Sequence, residues 1–170
     1  MELDWLTQFE SLRLGAIRLP LAALFSAILA FRPRRRGTPE RQFSVVQTQI
    51  ILAIVGAVID VTCDLTYILV LPGRAADDVS RFLLFERHLG TASLTGANGL
   101  YSLAVLVATL GLPASATLTR GLGVLTFVAG LVLAGAGLTG DPRHVMVGTA
   151  LTIPFFLAWS LAASSSPHPR

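Results

Sequence analysis

Ile50–Leu71, IILAIVGAVIDVTCDLTYILVL, is an apolar run that carries two carboxylates, Asp60 and Asp64, in its second half. With Phe43 to Gln49 before it, the stretch offers 29 residues suited to a helix, against the roughly 20 that a bilayer core requires. On a helix, the three-and-four spacing gathers Gly56, Asp60, Cys63, Asp64 and Tyr67 onto one side, and leaves Ile, Leu and Val on the other. An ionisable residue at the centre of a membrane costs about 2.5 to 3.5 kcal/mol on insertion scales. Two on one face are therefore expected to point at protein or water, not at lipid. The competing reading is a packing contact, in which Asp60 hydrogen-bonds a neighbouring helix through Thr95, Asn98 or Tyr101.

Composition supports a membrane protein. Of the 170 residues 53% are hydrophobic and 14% charged, with a mean hydropathy of +0.68, whereas an ordinary soluble domain is charged at about a quarter of its positions. All 13 basic residues are Arg, and the net charge of +3 comes largely from one short stretch. That distribution speaks of membrane orientation, not of nucleic-acid binding. The single cysteine, Cys63, excludes an intrachain disulfide and offers no metal-ligand spacing. It reads most simply as a small buried hydrophobe.

The chain opens with MELDWLTQFESLR, an amphipathic lead-in that sets Trp5 at headgroup level. Residues 14–31, LGAIRLPLAALFSAILAF, form the first apolar segment, with Arg18 able to snorkel and Pro20 able to sit near the helix start. A cleaved signal peptide would carry its positive charge before this run, whereas RPRRR follows it. Residues 32–42 then form a basic loop in which Arg32, Arg34, Arg35, Arg36 and Arg41 are the strongest orientation signal in the sequence. They place the loop on the cytoplasmic side, with anionic lipid headgroups as a further partner.

The remaining segments are expected at about 45–71, 89–112, 121–139 and 145–163. Between the second and third, Val79, Phe82, Leu83 and Phe85 suggest a short interfacial helix. The third opens with LGTASLTGANGLYS, small and hydroxyl residues that let helices approach closely, and Asn98 within it is the best candidate partner for Asp60 or Asp64. Gly123, Gly130, Gly135 and Gly137 thin the fourth segment, GDPRH at 140–144 is a turn, and the fifth contains Pro154 and ends near Trp159 at an expected interface. Residues 164–170 read as a disordered polar tail. The expected fold is thus all-α, one polytopic membrane domain of five helices, or four if the first lies in the interface. Five crossings put the N-terminus outside and the C-terminus in the cytoplasm.

Nothing in the chain resembles a nucleophile elbow, a phosphate loop or a metalloprotease helix, so no enzyme and no cofactor is expected. His88 and His144 fall at the outer ends of helices, and with Glu86 or Met146 they raise a haem or metal site that no ligand spacing supports. Two functions remain. In one, the chain is an accessory or regulatory subunit whose glycine-rich helices and acidic stripe dock on a larger membrane complex or on a second copy. In the other, Asp60 and Asp64 bind or relay a proton or cation, with Thr62, Asn98 and Tyr101 as polar neighbours.

RLPLAALFSAILAF (18–31), RPRRRGTPER (32–41) and VVQTQIILAIVGAVI (45–59) resemble the opening of MgtC/SapB-type membrane proteins, and LTGANGLYSLAVLVATLG (94–111) is similar to a later helix of that group. The resemblance covers less than half of the chain. It implies a bacterial inner-membrane protein of regulatory character, and it carries over no functional residue beyond the basic loop. The sequence departs from the family after the first helix, where a Glu-Arg-Glu type run is replaced by FRPRRR. At matched membrane expression, Asp60→Asn is expected to perturb function more than Arg35→Ala, because one loop arginine among five has substitutes and an intramembrane carboxylate does not. Growth or activity assays of the two variants side by side check the order.

Overall fold

The structure, a computed structural model, describes residues 39–71 and 78–164. The expected first segment at 14–31, Arg32, Arg34, Arg35 and Arg36 of the basic loop, and the tail from 165 onward lie outside the described residues. Among the described residues every regular element is helical. Helix α1 spans Pro39–Leu69 and α2 spans Val79–Thr91. A π-helical segment, Ala92–Ala97, follows, and α3 spans Asn98–Leu110. Helix α4 spans Thr117–Thr139 and α5 spans Pro142–Ser164. Among the described residues four helical spans are long and apolar enough to cross a membrane: Ser44–Leu69, Val79–Leu110, Thr117–Thr139 and Arg143–Ser164.

Local chemistry accounts for most of the boundaries. Pro39 opens α1, a position where its missing N–H costs nothing. The helix therefore starts before the expected 45, and Arg41 belongs to its first turns instead of to a loop. Asp78 caps α2, its Oδ1 accepting from the backbone N–H of Ser80 at 2.9 Å and of Arg81 at 3.2 Å. Gly140 ends α4 in the left-handed conformation, φ 66°, with its N–H returned to the Ala136 carbonyl. Asp141 then starts α5 by accepting from the Arg143 N–H at 2.8 Å.

One boundary differs from expectation in kind. Val79 to Phe85 do not form a separate interfacial helix, because α2, the π-helical segment and α3 continue as one rod of 32 residues. Glu86, Arg87 and His88 interrupt the apolar run, but a charged residue ends hydropathy without ending a helix. At the usual rise the rod is about 48 Å long, against roughly 30 Å of bilayer hydrocarbon. It is thus longer than one crossing requires.

The rod packs on α1 and on α4, and α4 on α5, each pair antiparallel. Between the rod and α4 the contact is a seam of three matched pairs. A Cβ built on Gly123 would run into Thr109, one on Gly130 into Ser102, and one on Gly137 into Thr95 and Leu94. The members lie seven residues apart on both helices and run in opposite directions, the repeat that keeps two helices in register at a shallow crossing angle. Gly135, the other expected thinning residue, faces open space. The core is an alanine-rich cluster of Ala53, Ala97, Tyr101, Ala104, Val105 and Ala108, closed by Phe156 and Trp159 from α5. Trp159 is thus not an interfacial anchor: it is 0% exposed and lies 5.8 Å, centroid to centroid, from the Phe156 ring. Where most facing residues are Ala and Gly, only large aromatic side chains reach across to fill the remaining volume. The outward faces carry Ile51, Ile54, Val58, Val128, Val132, Leu157 and Leu161 in exposed positions.

Gly148 makes the tightest backbone approach between α4 and α5, since a Cβ there would sit 2.6 Å from the Leu133 Cα. Backbone cannot step aside, so Gly148→Ala should destabilise the fold by about 1–3 kcal/mol, as overpacking does. Gly135→Ala should instead gain up to about 1 kcal/mol of helix propensity. Thermal unfolding of both variants in detergent checks the opposite signs.

Candidate functional site

Helix α1 turns one stripe inward. Gln49, Ala53, Gly56, Asp60, Cys63, Asp64 and Leu71 are buried and Tyr67 is half-buried, while Ile54, Val55, Val58, Leu65 and Leu69 on the other side are exposed. Asp60 is 9% exposed and Asp64 0%. The polar side expected from helical spacing therefore faces the interior of the bundle. Its close approach to the rod is set at Gly56, where a Cβ would lie 3.0 Å from the Tyr101 ring and 3.2 Å from the Ala97 carbonyl oxygen. One turn farther along α1, and one turn back along the antiparallel rod, Asp60 meets Ser93.

Ser93 Oγ donates to Asp60 Oδ1 at 2.6 Å, and both residues are buried. Such a bond contributes about 0.5–1.5 kcal/mol between neutral groups and about 1.5–3 kcal/mol when its acceptor is ionised. Ser93 belongs to the π-helical segment, whose i→i+5 bonding is rare and concentrates at functional sites. Asn98 fastens this turn from within, its backbone N–H and its Nδ2, at 3.2 Å, both donating to the Ser93 carbonyl. Thr95 Oγ1 donates to the Ala134 carbonyl at 2.7 Å and Thr91 Oγ1 to the Gly137 carbonyl at 3.0 Å, fixing the other side of the rod to α4. At the α2 end of the rod Tyr67 donates its hydroxyl to the Glu86 carbonyl at 3.1 Å. Asp60 and Asp64 thus stand one turn apart, with Ser93 held against the first by a locally widened helix.

Several expected neighbours are elsewhere. Asn98 supports Ser93 from behind instead of bonding a carboxylate, and Thr95 is engaged with α4. Thr62 is exposed and returns its hydroxyl to the Val58 carbonyl at 2.6 Å, because it lies about 200° around the helix from Asp60. Tyr101 packs its ring over Gly56 in the core cluster. Cys63 is buried beside the acidic pair on the same stripe. His88 and His144 are exposed and engaged locally, His88 Nδ1 with the Leu84 carbonyl at 2.6 Å and His144 Nδ1 with Thr139 Oγ1 at 3.0 Å. Among the described residues no three of His, Cys, Asp and Glu gather where they could hold a metal ion.

Ser93 is the residue that sequence reasoning missed. Its identity follows from pairing Gly56 with Ala97, since Asp60 and Ser93 are each four residues from that contact in opposing directions. The oxygens assembled here can carry a proton or ligate a monovalent cation. Comparison with protein-family models, with curated proteins and with solved structures finds no match.

Ser93→Ala should destabilise the fold by about 1–3 kcal/mol, and Thr62→Val, on the outward face, by no more than about 0.5 kcal/mol. A double-mutant cycle of Ser93→Ala with Asp60→Asn, read by unfolding in detergent, should show coupling above about 0.5 kcal/mol.

Proposed function

We propose that this chain is a small multi-pass protein of the bacterial inner membrane in which Asp60 and Asp64 take up and release a proton or a monovalent cation. The observation that carries this reading is the burial of both carboxylates inside the chain's own bundle, with Asp60 bonded to Ser93 of the π-helical segment. A packing contact needs one polar pair, and Asn at position 60 would offer Ser93 a weaker but neutral acceptor without the cost of an ionisable group in an apolar layer. Two acids a turn apart, both withdrawn from the apolar exterior, suit a site whose charge changes during use. The basic stretch Arg32–Arg36 and the segment 14–31 belong to the same reading, as the cytoplasmic loop and an additional crossing that leaves the N-terminus outside.

A second function, a regulatory or accessory subunit as the MgtC/SapB resemblance implies, is favoured by the open positions of Gly121 and Gly135, where another helix has room to approach α4. A partner or second copy would meet those faces, since the acidic stripe is turned inward.

Reconstitution in liposomes with an internal pH-sensitive dye separates the two. Ion-dependent flux should appear with the unaltered chain and fall at least about tenfold in Asp60→Asn and Asp64→Asn at equal incorporation, the scale on which a lost acid or base group is felt. Flux equal in all three proteins, with a stoichiometric partner recovered by gentle affinity purification, would transfer the assignment to the regulatory role.

A further inference from the structure

We infer that the π-helical segment Ala92–Ala97 is a register switch that couples the state of Asp60 to the orientation of helix α2. This rests on the reading of Asp60 as an ion-binding carboxylate and adds what that binding moves. A π-helical turn wound into an α-helix holds the equivalent of one extra residue. If the segment rewinds as α-helix, everything before it turns by about 100° relative to α3.

Five side chains hold the present winding. Tyr67 bonds the Glu86 carbonyl, Thr91 and Thr95 bond backbone carbonyls of α4, and Asn98 bonds the Ser93 carbonyl. The fifth contact, Ser93 to Asp60, is the one whose acceptor can change charge. A carboxylate accepts a hydroxyl roughly twice as strongly as a neutral acceptor does, so protonation or cation binding at Asp60 weakens this contact and leaves the other four unchanged. That difference is what a ligand needs in order to bias two conformations.

The two sides of the segment are unequally anchored. Six of the thirteen residues of α3 are buried, along the glycine seam and the aromatic core. In α2, also thirteen residues, Phe82 alone is buried, and Val79, Leu83, Leu84 and Phe85 are exposed. Rewinding therefore turns α2, the end with less packing to lose. The titratable groups around Asp60 are few. Cys63, Asp64 and Tyr67 share its stripe, and Tyr101 lies on α3. Glu86, Arg87 and His88 precede Ser93 by five to seven residues, and Arg120, the only charged residue of α4, is at the opposite end of that helix. Arg143 and His144 stand in the first turn of α5.

The test is pulsed electron-spin distance measurement on the full chain in lipid nanodiscs, with Cys63→Ala as background. One spin-label pair, Leu84→Cys with Leu138→Cys, reports α2 against α4; a second, Leu110→Cys with Leu118→Cys, reports the other end and serves as the check on folding. Asp60→Asn and Ser93→Ala should each shift the first pair, a 100° turn displacing a helix-surface group by roughly 8 Å, and leave the second in place. Deleting Ala92 removes the extra residue without turning α2, so in that protein Asp60→Asn should shift neither pair. The switch is overturned if the first pair stays fixed in both substituted proteins, or if the deletion leaves the shift intact. Lost flux in Asp60→Asn with an unmoved first pair would refute the switch and keep the ion site. A shifted first pair in a chain that carries no flux would do the reverse.

Discussion

Close backbone approach is the constraint on which the molecule depends. Where the rod and α4 meet, Gly123, Gly130 and Gly137 leave room for Thr109, Ser102 and Thr95 in turn, and no other residue type leaves it. The gain is dispersion contact between backbones, small for each atom pair and large when summed along a helix. Because both sets recur every seven residues, one pairing fixes the others, and a slip of one residue would set side chains against side chains along the seam. Gly148 against Leu133 imposes the same condition on α4 and α5, and Gly56 against Tyr101 on α1. The register of the bundle is therefore set by residues that contribute no side chain.

That register determines where polar groups can be used. Many hydroxyls are spent within their own helices: Thr48, Thr62, Thr66, Ser102 and Thr126 each return to a carbonyl four residues back. Such bonds satisfy a hydroxyl in an apolar layer without committing it to a neighbour. Thr91, Ser93 and Thr95 differ, each reaching a different point on another helix, and they are consecutive odd positions at the widened turn. Polar connections between helices thus concentrate where the helix is least regular, and Asp60 is at that depth.

The two ends of the rod divide the work accordingly. Its α3 end is keyed into the seam and the Phe156–Trp159 core, and its α2 end is tied by Tyr67 and by the single buried side chain of Phe82. A carboxylate placed at the junction of a firmly and a loosely packed half is well positioned to bias the loose one. A carboxylate within the seam itself could only disrupt it.

Helical periodicity and apolar length are local properties, and they are legible in the chain directly. The four described spans, the inward stripe of Gly56, Asp60, Cys63, Asp64 and Tyr67, the turn at Gly140–Asp141 and the role of small residues in close packing all follow from them. Partners across helices are not local. That Ser93 and not Asn98 bonds Asp60, that Gly135 faces outward while its neighbours two residues on and five back are in contact, and that Val79 to Phe85 continue the rod depend on the antiparallel register and on one extra residue wound into a turn. Trp159 shows why composition alone does not decide such cases. An indole suits both a headgroup layer and a core, and its place here was settled by the volume that alanine and glycine on the facing helices left to be filled.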